Sequence, residues 1–99
     1  AEIVPELAPY LARGTLIEKR RYSAFFDTDL AERLAALQPE RITICGVCTD
    51  ICVLHTVADA RNRDYPVLVP AECVASFDPE AHAFALRHME KILGAEVVR

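Results

Sequence analysis

The chain has 99 residues, 53% of them hydrophobic and 26% charged, and its formal net charge is −4 at pH 7. This length allows one domain or part of one, and the even mixture of acidic and basic residues argues against a nucleic-acid or membrane surface. No apolar run approaches the roughly 18 residues of a membrane span, and the first residues do not resemble a signal peptide. Three of the four cysteines crowd into residues 45–52, unlike a disulfide framework, so we expect a reducing, cytoplasmic compartment.

The first half of the chain predicts a strand, a loop and a helix after an irregular start. Residues 1–14 contain two prolines and a glycine and should be irregular. Thr15–Lys19 has the β-branched and apolar content of a short strand, and the more polar stretch that follows predicts a loop. A helix with leucines at i, i+4 and i+7 should then begin at a cap, Asp27 or Thr28, and end before Pro39.

The second half of the chain alternates strands and helices. The predicted elements are a strand Arg41–Cys45 buried on both faces, a turn Gly46–Thr49, a largely apolar helix Asp50–Asn62, a strand Pro66–Pro70, a helix from Asp78 to Gly94 and a strand Glu96–Val98. This alternation predicts a parallel sheet covered by helices. The reactive site of such a sheet lies beyond the carboxyl ends of its strands.

The segment GVCTDIC, residues 46–52, is the first place where chemistry could occur. It leads from a strand into a helix whose first turn contains Cys52, and the free N–H groups and dipole of a helix start favour the nucleophilic thiolate form of a thiol. The N–H groups of Cys48 and Cys52 could also bind the oxyanion of a tetrahedral intermediate. Asp50 could instead be a helix cap.

Other interpretations of the cysteines stay open at this point. An isolated helical cysteine is more often a core residue than a nucleophile, and Cys45 and Cys73 are expected in the core. Cys45 and Cys48 form a CxxC pair that could be a redox dithiol, and together with Cys52 and His55 they have the residue types of a metal site. The second segment where chemistry could occur, Lys19 to Phe25, could be no more than a solvated basic loop.

Taken together, the two segments point to a protein family more specifically than either does alone. EKRRYSAFFDTDL followed by ITICGVCTDICVLHTVADA resembles the nicotinamidase and isochorismatase-like cysteine hydrolases, and YPVLVPAECVASFDPEAHAFALRHM resembles the last third of that family. The resemblance implies an α/β fold in three layers (αβα) around a parallel sheet with strand order 3-2-1-4-5-6. Residues 1–99 would be the C-terminal portion of this single domain, with the N-terminal strands missing.

The resemblance also implies roles for individual residues. Cys52 matches the nucleophile, and Lys19 matches the lysine that precedes the YSAF loop. The oxyanion would be bound by the backbone N–H groups of Cys48 and Cys52, with a cis peptide bond between Val47 and Cys48. Tyr22 and Phe25 are candidates for the walls of a substrate pocket around a planar ring.

The chain also departs from the family pattern. The catalytic aspartate of the family, in a motif resembling D-x-Q, has no counterpart in this sequence. Neither have the aspartate and two histidines through which nicotinamidases bind a divalent metal such as zinc, iron or manganese, and His88 is expected to be structural. We therefore expect a C-terminal half-domain that binds no metal itself and is nearly inactive alone.

The resemblance favours one reaction, the hydrolysis of nicotinamide to nicotinate and ammonia through a thioester. Alternatives are a related hydrolase acting on another amide, an N-carbamoyl compound or isochorismate, an inactive structural half-domain, and a redox protein. The expected partners are a small-molecule amide and further copies of the chain in a dimer or tetramer, with no nucleic acid and no membrane.

Overall fold

Two small parallel sheets organise the protein. The computed structural model describes residues 3–99, and its larger sheet contains β1 (Ile42–Thr43), β3 (Val67–Pro70) and β5 (Glu96–Val98) in the order β1-β3-β5. The register pairs Ile42 with Val67 and Val69 with Val97. The smaller sheet pairs β2 (Gly46–Val47) with β4 (Val74–Ala75). The α/β fold with parallel strands is therefore confirmed, whereas β4 was not predicted.

Residues 3–99 contain three α-helices: α1 (Leu30–Leu37) precedes β1, whereas α2 (Leu54–Asn62) joins β2 to β3 and α3 (Pro79–Lys91) joins β4 to β5. Short turns of other helix types are Ala8–Arg13 and Ala71–Cys73, which are 3₁₀, and Thr49–Val53, which is a π-helical turn. The start of α3 follows the predicted signal, because the Asp78 carboxylate accepts the N–H of Glu80 and Pro79 occupies the first helical position. Gly94, with φ of +76°, follows the end of α3.

The core lies between α2, α3 and the larger sheet. Val57 of α2, Val69 of β3 and Met89 of α3 have no exposed surface. The alternating burial of β3 and the i, i+3, i+4 spacing on α3 place these side chains on facing surfaces, so hydrophobic burial fixes the two helices against the strands. No helix among residues 3–99 is long and apolar enough to cross a membrane.

The structure corrects four predictions about local elements. Thr15–Lys19 is not a strand, because no neighbouring strand among the described residues supplies its ladder of hydrogen bonds. Of the predicted strand Arg41–Cys45, only Ile42–Thr43 forms β1, which pairs with one strand among residues 3–99, and Cys45 beyond its end is exposed, not in the core. Cys73 is exposed as well, at the end of its 3₁₀ turn. The predicted helix Asp50–Asn62 begins as the π-helical turn and becomes α-helical only at Leu54.

Candidate active site

The ammonium group of Lys19 lies beside the thiol of Cys52. Nζ of Lys19 is 3.5 Å from Sγ of Cys52, although the two residues are 33 positions apart, and the same Nζ donates a hydrogen bond to the Arg21 carbonyl at 3.1 Å. Lys19 is exposed and Cys52 half-buried. A cation at this distance stabilises a thiolate and any negative charge that develops next to it.

Cys52 is positioned by the turn that joins β2 to α2. The Val47–Cys48 peptide bond is cis, and Gly46 before it has φ of +123°, a conformation that side chains rarely adopt. The Cys48 carbonyl accepts the N–H groups of Ile51 and Val53, each at 3.1 Å. Because the carbonyl holds the amides on both sides of Cys52, it fixes the path of the backbone around the thiol.

Two side-chain hydrogen bonds tie this turn to the rest of the fold. The buried hydroxyl of Thr49 lies 2.8 Å from Nδ1 of His82 on α3, and the Ser76 hydroxyl donates to Oδ1 of Asp50 at 2.6 Å. The alternative that Asp50 caps the helix is wrong, because Asp50 lies inside the helical turn, whose N-cap position is Cys48 and which has no side-chain cap. Sequence reasoning missed Thr49, Ser76 and His82, since no local pattern links residues so far apart.

The loop after Lys19 is fastened to α2. The Ser23 hydroxyl donates a hydrogen bond to Asp59, and the N–H of Ala24 donates to the Thr56 hydroxyl at 3.0 Å. Ser23 is buried although it is polar, which is acceptable because its hydroxyl is paired. These contacts hold the loop after Lys19 against α2, the helix that follows the turn with Cys52.

A cavity of about 360 Å³ opens beside the Lys19–Cys52 pair. Lys19 also borders a second recess of about 490 Å³, which Tyr22 lines together with the arginines that follow Lys19. Both volumes are large enough for a small planar molecule. The first cavity is lined by residues 43–47, which run from β1 into β2, and by Lys19, Ala24, Cys52, Val53 and Thr56.

The two aromatic residues that sequence analysis selected have different surroundings. The Tyr22 side chain is 58% exposed, and its ring centroid lies 5.6 Å from that of His55, with a tilt of 41°. Phe25 is buried, and the Arg63 guanidinium lies over its ring at 4.5 Å from the centroid. Phe25 is therefore an anchor of the loop in the core, and Ala24 lines the cavity beside Cys52 instead.

Among residues 3–99, the structure shows neither a disulfide nor a set of metal ligands at the cysteines. Cys45, Cys48, Cys52 and Cys73 are all free thiols. No three histidine, cysteine or carboxylate side chains in this described part of the chain converge as metal ligands, so the spacing of Cys45, Cys48, Cys52 and His55 does not produce a metal site.

Comparison with known proteins gives consistent matches. The family model described as Isochorismatase domain matches residues 1–99. The uncharacterized isochorismatase family protein PncA of Bacillus subtilis is 49% identical over 81 residues, which are 82% of this chain and 44% of that protein. The nicotinamidase SaPncA from Staphylococcus aureus superposes with a TM-score of 0.88 at 43% identity, covering 95% of this chain and 60% of that one.

A further solved structure, the pyrazinamidase of Pyrococcus horikoshii in complex with zinc, superposes with a TM-score of 0.76 at 35% identity. It matches 83% of this chain and 45% of its own. The chain thus spans about half the length of the relatives it matches.

Proposed function

Because the chain belongs to the isochorismatase family, we propose that it carries the nucleophile of a cysteine amidohydrolase that converts nicotinamide to nicotinate and ammonia. The single observation that supports this most is the 3.5 Å approach of Lys19 Nζ to Cys52 Sγ at the edge of a cavity. The similarity to the nicotinamidase from Staphylococcus aureus supports the choice of substrate.

In the proposed reaction, the thiolate of Cys52 attacks the amide carbon of the substrate and forms a C–S bond. The carbonyl oxygen becomes an oxyanion, which the backbone N–H groups of Cys48 and Cys52 would bind. The amide nitrogen gains a proton and leaves as ammonia, so that a thioester remains. Water then attacks the thioester, which releases nicotinate and restores the thiol.

Lys19 has an electrostatic role in this scheme. Its ammonium group stabilises the attacking thiolate and the charge of the intermediate, while its second hydrogen bond, to the Arg21 carbonyl, holds it in place. The family resemblance assigns proton transfer to an aspartate. No carboxylate of residues 3–99 is hydrogen-bonded to Cys52, so we assign the general base to a part of the protein outside this chain.

The substrate ring would lie in the recess next to Tyr22, and the amide in the cavity next to Cys52. This arrangement is reasonable because Lys19 borders both spaces. Tyr22 offers an exposed face against which a pyridine ring can pack. Phe25 anchors the loop after Lys19 through its buried ring.

We further propose that residues 1–99 form the C-terminal part of one domain, that the domain acts in the cytoplasm as a dimer or tetramer, and that the isolated chain has little activity. A divalent metal, where the protein uses one, would have its ligands outside this chain, since the described residues offer no suitable donor set. No step above depends on a metal.

The test is ammonia release from nicotinamide by the protein that carries this chain, after its intact mass has been measured. We expect turnover by the wild type and none by Cys52→Ser, while Cys73→Ser, a change at an exposed cysteine outside the site, keeps wild-type rates. Absence of turnover at full length would contradict the substrate. Turnover by Cys52→Ser would contradict the nucleophile.

A further inference from the structure

His55 follows Cys52 by three residues, so the two lie on the same side of the helical segment. Nδ1 of His55 is 2.6 Å from the carbonyl oxygen of Ile51. A carbonyl oxygen only accepts hydrogen bonds, so the proton of this bond belongs to Nδ1, and His55 is the donor. The metal site that the sequence allowed for this histidine does not form among residues 3–99, and the proposed mechanism gives it no role.

The acceptor is informative because the Ile51 carbonyl belongs to the peptide group that joins Ile51 to Cys52. The other end of that planar group is the N–H of Cys52, one of the two proposed oxyanion donors. The Leu54 N–H donates to the same carbonyl oxygen. A second donor at this oxygen fixes the orientation of the peptide plane and polarises its N–H, since hydrogen bonds in a chain strengthen one another.

We propose that His55 is a positioning residue, which orients and polarises the Cys52 amide toward the oxyanion of the reaction. This role rests on the proposed cysteine hydrolase function. The same imidazole ring packs against Tyr22, with the ring centroids 5.6 Å apart. His55 therefore connects the amide that binds the oxyanion to the aromatic ring that lines the substrate recess.

Two substitutions in the complete protein separate these contacts. His55→Phe keeps a ring next to Tyr22 but removes the donor, whereas His55→Asn keeps an N–H donor near the position of Nδ1 but removes the ring. We expect kcat for nicotinamide to fall about tenfold in His55→Phe, less than the loss from deleting an oxyanion donor outright. In His55→Asn kcat should stay within about twofold of wild type while KM rises, because only the ring contact is lost.

A second readout does not depend on turnover. In ¹H–¹⁵N NMR spectra, the Cys52 amide proton should move upfield in His55→Phe and return toward its wild-type position in His55→Asn. His88→Phe is the matched control, because His88 also stacks on an aromatic ring, Phe84, but on the outer part of α3. It should change neither kcat nor the Cys52 amide.

The outcomes are distinct. Equal losses of kcat in His55→Phe and His55→Asn, or a Cys52 amide unchanged in His55→Phe, would overturn the role of His55. If the wild type releases no ammonia from nicotinamide, the proposed function fails. In that case, the chemical shift of the Cys52 amide is the measurement that still tests the role of His55.

Discussion

The hydroxyl oxygen of Thr49 and Nδ1 of His82 lie 2.8 Å apart and join the turn that carries Cys52 to helix α3. Thr49 has no exposed surface and His82 is half-buried, so the hydrogen bond is partly shielded from water. The two residues are 33 positions apart, and their contact links the Cys52 turn to a helix that does not line the cavity beside Cys52. Thr49 and His82 thus make the position of Cys52 depend on the packing of α3.

Replacing Thr49 by valine tests this link. Thr49→Val keeps the shape of the side chain but leaves His82 without its partner, so the free energy of unfolding should fall by about 1–2 kcal/mol. Chemical denaturation of the complete protein measures the change. Thr49→Ser keeps the hydroxyl and is the control for the lost hydrogen bond, and it should retain more activity than Thr49→Val. If Thr49→Val and Thr49→Ser are equally active, the hydrogen bond to His82 does not contribute to catalysis.

The pair Asp50–Ser76 should contribute a measurable coupling free energy. A double-mutant cycle with Asp50→Ala and Ser76→Ala is expected to give about 1–2 kcal/mol, because the acceptor is charged and the bond is partly buried. Denaturation midpoints of the four proteins provide the numbers. Asp50→Asn, which still offers an acceptor oxygen to Ser76, should lose less stability than Asp50→Ala. Additive effects in the cycle would show that the bond contributes nothing.

Lys19 should affect the reactivity of Cys52 as well as turnover. In Lys19→Met the cation is lost, so kcat/KM for nicotinamide should fall by roughly 10²-fold, the effect of losing one electrostatic stabiliser. The alkylation rate of Cys52 with iodoacetamide, followed by peptide mass spectrometry, should also fall at neutral pH. Arg33→Met is the matched control, since Arg33 pairs with Asp29 on the surface of α1. Unchanged alkylation in Lys19→Met would argue against thiolate stabilisation by the lysine.

Tyr22 and Phe25 should respond to substitution in opposite ways. Tyr22→Ala removes an exposed ring at the recess, so KM should rise several-fold with little change in stability. Phe25→Leu shrinks a buried side chain under the Arg63 guanidinium, and we expect a loss of about 1–2 kcal/mol in the free energy of unfolding. Steady-state kinetics and thermal denaturation of both variants distinguish the roles. If Phe25→Leu raises KM without a loss of stability, the original prediction that Phe25 lines the substrate pocket would be supported.

Much of the secondary structure could be predicted because its signals are local. The helix Pro79–Lys91 has its cap, its proline and its apolar spacing within one stretch, and Val67–Pro70 is a compact apolar run. The resemblance of two short segments to a family was enough to select Lys19 and Cys52 as partners. The match of the Isochorismatase domain to residues 1–99 confirms that resemblance.

The tertiary structure decided the features that need a distant partner. Thr15–Lys19 has the composition of a strand, yet a strand exists only where a neighbour accepts its hydrogen bonds. Asp50 has the residue type of a helix cap, but in the folded chain it lies inside the helical turn and its carboxylate accepts a hydrogen bond from Ser76, the residue after β4. Cys45 lies just beyond β1, which pairs with only one strand among residues 3–99, and composition alone could not reveal that it is exposed there. Propensity acts within a few residues, whereas burial and hydrogen bonding are settled by segments that meet only when the chain folds.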